Sequence, residues 1–223
     1  MLRMFCGFDK REAIGYHVFV ASCVHRVTVP VTFCPISING AQQGTNAFTE
    51  SRFLVPYLCG YKGKAIFVDA SDMICMADLA ELAIKLDNLK GAVAVVKHDY
   101  KTRNKVKYIG TEMESPNLDY KRKNWASVML INCEHPAWQA VTPQTIDTFK
   151  LIDLLQFKFI DDADIEQLPN EWNRLVDEGQ SVQGAKILHW TAGTPAFEHY
   201  KDALGSDLWQ QEYKRTIYPL LTL

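Results

Sequence analysis

At 223 residues, 48% hydrophobic and 11% aromatic, the chain is long enough for one large α/β domain and has no disorder signature. Its formal net charge of −2 excludes wholesale binding to nucleic acid or to an anionic membrane surface. The six cysteines form no Cys-x-x-Cys pair, which argues against a disulfide framework or a zinc site and for buried, reduced thiols.

Residues 2–7 read as a first strand, closed by a polar turn at Phe8-Asp9-Lys10. Residues 12–25 carry Ala13, Tyr16, Val20, Cys23 and Val24 at helical spacing, and β-branched residues 29–36 read as a second strand. Residues 37–46, rich in Gly, Asn and Gln, read as an exposed loop. A helix over 48–58 is expected to end at Gly60, followed by a strand over 65–69, a helix over 77–86 and a strand over 92–97. This alternation predicts a single α/β domain spanning 1–223, with a mainly parallel sheet flanked by helices. Farther on the pattern loosens into a basic segment over 98–123, a strand over 127–131, a helix over 143–155, a short strand over 186–189 and a helical, aromatic C-terminus. No apolar run is long enough to cross a membrane and no signal-like stretch opens the chain, so the expectation is a cytoplasmic protein.

The stretch IFVDASDMICMADLAEL, residues 66–82, poses the functional question. An apolar run stops at Asp69, and Asp72 follows within a turn. Ligands of open parallel sheets bind at the carboxyl ends of strands. Two acids there repel each other unless a cation or protons intervene, and hard divalent cations commonly join carboxylates to substrate phosphates. One reading is therefore a metal–diphosphate site, and the other is a turn cap at Asp69 beside a solvated Asp72. Three further stretches bear on the choice. In LHWTAGTPAFEHY, residues 188–200, His189 ends a short apolar run before a loop holding Gly193 and Pro195. In FIDDADIEQLPNEWN, residues 159–173, Asp161, Asp162, Asp164 and Glu166 cluster after apolar positions. In KRKNWASVMLINC, residues 121–133, a basic cluster leads through Asn124 and Trp125 into a buried strand. Each alone has a structural reading as well: a strand-end histidine, an acid-rich helix start and a solvated loop.

Together and in this order, these pieces resemble retaining glycosyltransferases of the GT-A fold, specifically the family 8 group that includes glycogenin and bacterial galactosyltransferases. The resemblance extends over roughly residues 3–200. It implies that Asp69 and Asp72 hold Mn²⁺ (or Mg²⁺) with the diphosphate of a nucleotide-sugar donor, UDP being the favoured base, and that His189 is the third protein ligand. Thr191, Gly193 and Pro195 match the loop that contacts the diphosphate. Phe8 and Asp9 match the turn that meets base and ribose, and Arg52 matches a basic residue near the donor. Asn124 and Ser127 match positions lining the donor sugar, and Asp161 and Asp162 match the pair beside the reacting carbon. The implied reaction is hexosyl transfer, with retention, to the hydroxyl of a glycan, lipid-linked, protein or nucleic-acid-linked acceptor, with the basic segment over 97–123 as one candidate contact. Two departures stand out. The acids are spaced Asp-Ala-Ser-Asp, not Asp-x-Asp, so Ser71 competes with Asp72 for the second position, and the carboxylate is preferred. Thr194 also replaces a lysine in the loop after His189, a charge that Lys62 or Arg52 could supply. The alternatives are a non-catalytic nucleotide-sugar-binding or assembly protein and a sugar nucleotidyltransferase. The single glycine of CGFDKREA disfavours the second. No P-loop or G-x-G-x-x-G fingerprint supports a kinase or dehydrogenase.

Overall fold

The computed structural model describes residues 1–37 and 44–218. Most of the predicted loop over 37–46 lies outside the described residues. The chain order is β1 (Leu2–Gly7), α1 (Ala13–Val24), β2 (Val31–Ile36), α2 (Val55–Leu58), β3 (Lys64–Val68), β4 (Met73–Cys75), α3 (Ala80–Asn88) and β5 (Val93–Val95). A hairpin of β6 (Val106–Lys107) and β7 (Ser115–Pro116) precedes β8 (Val128–Asn132), α4 (Leu151–Leu155), β9 (Ile165–Gln167), β10 (Arg174–Leu175), β11 (Ile187–His189) and α5 (Ser206–Ile217).

The main sheet has six strands in the order β2-β1-β3-β8-β5-β9, parallel except that β8 runs antiparallel to both neighbours. It is the mainly parallel, helix-flanked α/β sheet that the alternation predicts. Both faces are covered. Phe5, Phe67, Met129, Ile131 and Trp138 pack on one side, and Met4, Ile66, Val68, Leu130 and Leu82 on the other. Burial on two faces explains why β3 and β8 read as unbroken apolar runs. Among the described residues, no helix is long and apolar enough to cross a membrane. All six cysteines are free thiols, but Cys34 is exposed and Cys59 only half-buried, so the expectation of burial holds for the other four.

Two expected helices are shorter than periodicity suggests. Over 48–58 the chain forms a 3-10 turn, Ser51–Leu54, before the four residues of α2. Over 143–155 a 3-10 turn, Ile146–Thr148, is followed by extended Phe149 and Lys150 before α4. Phe149 leaves helical geometry to join an aromatic cluster, its ring 6.1 Å from that of Phe159. Five short strands, β4, β6, β7, β9 and β10, are absent from the sequence reading, and β4 matters most to the site. Met73–Cys75 pairs with Ile187–His189 in a second, three-stranded sheet ordered β10-β11-β4.

Candidate functional site

The two sheets bring the acids and the histidine together. The Asp69 N–H donates to the Ser127 carbonyl at 2.9 Å, which extends the β3–β8 ladder by one step and fixes Asp69 at the strand end. Ala70 then takes a left-handed φ of 66°, and the Ser71 N–H returns to the Asp69 carbonyl at 2.8 Å. This tight turn absorbs the extra residue of Asp-Ala-Ser-Asp. It sends the Ser71 hydroxyl inward to donate to Glu12 Oε2 at 3.1 Å, while Asp72 faces the histidine. Antiparallel pairing sets His189 opposite Met73, and the Trp190 N–H donates to the Asp72 carbonyl at 2.9 Å. Ligand atoms of Asp69, Asp72 and His189 all lie within 4.8 Å of one another.

The electrostatics suit a cation. Asp69 Oδ1 has Arg52 Nη1 at 2.7 Å, a charge pair out of line for a hydrogen bond. Asp72 Oδ1 is buried without any hydrogen-bond partner, and Asp72 Oδ2 stands 3.3 Å from His189 Nε2. Burial pushes the Asp69 pKa up to about 6, with Arg52 opposing and Asp72 adding to the rise. Burial disfavours a charged His189, but Asp72 and Asp69 outweigh it and hold the imidazole pKa above its usual value. Glu12 lies beneath, fully buried, its pKa raised first by burial and then by Asp72. Two carboxylates with unshared oxygen and one imidazole make a donor set that fits Mn²⁺ or Mg²⁺, the imidazole favouring the transition-type ion.

Sequence reasoning missed two residues that hold this cluster in place. Asn173, fully buried, accepts at Oδ1 from His189 Nδ1 (2.9 Å), and its Nδ2 donates to Ser127 Oγ (2.8 Å) and the Asn124 carbonyl (3.3 Å). The Asn124 carbonyl, an obligate acceptor, and the Ser127 hydroxyl, whose own proton goes to that carbonyl, fix the amide orientation. The proton is thereby assigned to His189 Nδ1, leaving Nε2 to face Asp72. Asp177 ties down the loop after His189, accepting from the Ala192 N–H and, at 3.2 Å, from the Thr191 hydroxyl. Burial pushes the Asp177 pKa up to about 6 against those donors. Asn173→Ala is expected to weaken Mn²⁺ binding roughly 10–100-fold, as loss of a partner behind a ligating histidine does. Calorimetric Mn²⁺ titration of the folded variant checks this; unaltered affinity would show that Asn173 does not orient the ligand.

The cluster opens on a cleft of about 650 Å³, walled by Phe48, Arg52, Lys107, Tyr108, Tyr120, Asn124, Ser127 and Leu155, with Thr191 at one side. That volume is ample for a nucleotide-sized ligand. Arg52 is sandwiched between the rings of Phe48 (5.4 Å) and Phe67 (5.2 Å) and donates to the Thr49 and Ala126 carbonyls at 3.0 and 2.9 Å. It neutralises Asp69 from the wall. Lys62 cannot do so, being exposed in the turn before β3, at the end of the strand away from Asp69. Asn124 has a left-handed φ of 61°, and its amide donates to the Tyr100 hydroxyl at 2.7 Å. The Ser127 hydroxyl donates to the Asn124 carbonyl at 2.7 Å.

The remaining expected site residues lie elsewhere. Asp9 is buried and committed to Arg11 and the Ala47 N–H; burial raises its pKa, but these donors more than offset it and leave it below the usual range. Phe8 packs edge-on against Tyr16, ring centres 5.4 Å apart. Asp9 bears on the cleft through the segment that it and Arg11 anchor, whose Thr45 and Asn46 line it; Phe8 does not line the cleft. Gly193 and Pro195 are buried behind Thr191, with Tyr200 against Gly193 where a Cβ would sit 2.3 Å from the ring. Asp161 and Asp162 do not join the cluster. Both are exposed and line a separate depression with Lys121, Arg122 and Lys158, where Arg122 pairs with Asp162 at 2.5 Å.

No family model matches the chain. Among solved structures, the bifunctional glycosyltransferase WbbM superposes with a TM-score of 0.65 at 16% identity, over 99% of this chain and 50% of that one. The glycosyltransferase GlyE of Streptococcus pneumoniae gives 0.62 at 15%, over 95% of this chain and 60% of that one. The galactosyltransferase LgtC, solved with donor and acceptor sugar analogs, gives 0.59 at 13%, over 95% of both chains. This chain thus spans half of WbbM and nearly all of LgtC, and its fold is the GT-A glycosyltransferase fold. Protein CDI of Arabidopsis thaliana is 34% identical over 227 residues, covering 94% of this chain and 85% of that protein. The chain therefore belongs to the family of Protein CDI.

Proposed function

We propose that this chain is a single-domain, metal-dependent glycosyltransferase that moves a hexosyl group from a nucleoside-diphosphate sugar, UDP-linked by family weighting, to an acceptor hydroxyl with retention, as in family 8. One observation carries the reading: Asp69, Asp72 and His189 converge within 4.8 Å at the carboxyl ends of β3 and β11, with buried, unpartnered carboxylate oxygen. A divalent cation held by these three residues supplies Lewis-acid neutralisation of a departing diphosphate.

The chain's own residues do the rest. Arg52 holds Asp69 ionised and in place despite burial. Asn173 presents His189 Nε2. Asp177 fixes the loop beside Thr191. Asn124 and Ser127, held to each other and to Tyr100, form a polar floor suited to sugar hydroxyls. Asp161 and Asp162, on the other depression, take no part in it. The inferred compartment is the reducing cytoplasm, which suits six free thiols.

The test is a binding and hydrolysis screen of UDP-, GDP-, ADP- and dTDP-sugars with Mn²⁺, Mg²⁺ or EDTA. The expected result is metal-dependent release of one nucleoside diphosphate. Failure of every donor to bind with metal would leave Asp69 and Asp72 as structural acids and overturn the reading.

A further inference from the structure

A departing diphosphate develops charge that a preorganised cation stabilises. The His189 loop does not provide one, since Thr194 is fully buried, its hydroxyl accepting from the Ala196 N–H at 3.4 Å. Of the cations lining the cleft, Arg52 is committed to Asp69 and two carbonyls. Lys123 donates to Asn117 Oδ1 at 2.7 Å and to the Leu118 carbonyl at 2.5 Å. Lys150 is exposed at the rim.

Lys107 differs from all three. It sits half-buried in the cleft wall, close enough to Asp72 and Asp69 for both to act on its charge. Among the described residues its ammonium makes no hydrogen bond or ion pair. It lies 5.4 Å from the centre of the neighbouring Tyr108 ring. A half-buried ammonium that lacks a hydrogen-bond partner and lines a cleft has its donors free for an anionic ligand.

Its backbone is fixed to the loop that lacks the lysine. The Tyr108 N–H donates to the Ala192 carbonyl at 2.6 Å, and the Ile109 N–H donates to the Tyr200 hydroxyl at 2.9 Å. The Tyr108 side chain is a buried plug, its hydroxyl accepting from Asn46 Nδ2 at 3.2 Å. Across the hairpin, Lys107 pairs with Ser115.

We propose that Lys107, carried on the β6–β7 hairpin, is the cation that meets the donor's diphosphate in place of the lysine absent from the His189 loop. This rests on the glycosyltransferase reading above. As the bond from the anomeric carbon to the β-phosphate oxygen breaks, its electron pair stays on that oxygen. The acceptor oxygen bonds to the carbon, and the acceptor proton passes to the departing phosphate. Lys107 keeps its own proton and donates a hydrogen bond to the phosphate throughout.

The test is calorimetric titration of wild type, Lys107→Met and Lys107→Arg with UDP, GDP, ADP and dTDP, and with the matching monophosphates, all in Mn²⁺. Loss of a charge-assisted hydrogen bond predicts roughly 10–100-fold weaker binding of the preferred diphosphate to Lys107→Met. Monophosphate affinity should hold within about threefold, since the β-phosphate is what Lys107 meets, and Lys107→Arg should recover most of the loss. Equal weakening of monophosphate and diphosphate would reduce Lys107 to a structural residue. If wild type binds a diphosphate and Lys107→Met binds it as tightly, the Lys107 assignment alone is wrong. If wild type binds none of the four with Mn²⁺, the glycosyltransferase reading fails and takes this assignment with it.

Discussion

Asp72→Asn is expected to abolish Mn²⁺-dependent donor turnover while leaving the chain folded. The replacement is isosteric, so the Trp190 N–H bond to the residue 72 carbonyl and the pairing of β4 with β11 remain. What disappears is charge at Asp72 Oδ1, which is buried without a hydrogen-bond partner. An amide is a weak ligand for a hard cation, and the site keeps only one carboxylate. A loss of about 10³-fold or more, some 4 kcal/mol of transition-state stabilisation, is the expected scale. The metal-free protein should change little. The substitution unpairs His189, but it also relieves repulsion among Asp72, Asp69 and the buried Glu12. Thermal unfolding supplies a readout independent of turnover. Mn²⁺ at about 100 times its Kd stabilises wild type by about 2.7 kcal/mol through binding linkage. In a chain of this size that is a rise of roughly 5–10 °C in Tm. The variant should show none of it, and a wild-type-like shift would remove Asp72 from the metal site.

The sheet and the first acid were legible because their signals are local. The run Ala65–Ile66–Phe67–Val68 is apolar on both faces of a buried strand, and it stops abruptly at Asp69. The relation of Asp72 to His189 was not legible from spacing. It depends on β4, three residues inside what reads as a loop, pairing with a strand more than a hundred residues away. Only the resemblance joined the two. Asn173 and Asp177 escaped notice for a related reason. The signal available was a buried asparagine between Trp172 and Leu175 in an otherwise polar stretch, and nothing in its spacing points to His189. The acid cluster at Asp161 is the opposite case: its density of carboxylates is plain in the sequence. But Asp162–Asp164 is a 3-10 turn with Asp161 and Asp162 exposed and apart from Asp69, Asp72 and His189, a placement that spacing does not convey. Lys107 was hidden within a basic segment whose average charge says nothing about which ammonium points inward.

The second large effect should come from a residue that touches neither metal nor sugar. Gly15 lies in the first turn of α1, and a Cβ built there would sit 1.8 Å from the Ser71 carbonyl oxygen and 2.8 Å from its carbon. Both are backbone atoms, so no side chain can swing aside. The helix cannot easily retreat, because Val18, Phe19 and Cys23 are fully buried along it and the Ser22 hydroxyl accepts from the Cys75 N–H at 2.9 Å. The turn cannot easily retreat either. It is closed by the bonds from the Ser71 N–H to Asp69 and from the Met73 N–H to Ala70, with Ala70 already in left-handed geometry. Gly15→Ala must therefore displace the segment that sets Asp69 against Asp72. Overpacking typically costs about 1–3 kcal/mol, which makes a Tm drop of roughly 2–12 °C the expected result. Mn²⁺ affinity should fall by about tenfold or more, since ligand atoms displaced by even part of an ångström lose their convergence. Gly60→Ala is the control. It has open space around the added carbon but a φ of 61°, so it should cost about 1 kcal/mol through strain and leave Mn²⁺ binding untouched. If Gly15→Ala behaves as Gly60→Ala does, losing stability but not metal affinity, then the close approach of α1 is a packing accident. A selective loss of metal affinity would mean that the helix holds the Asp-Ala-Ser-Asp turn in its binding geometry.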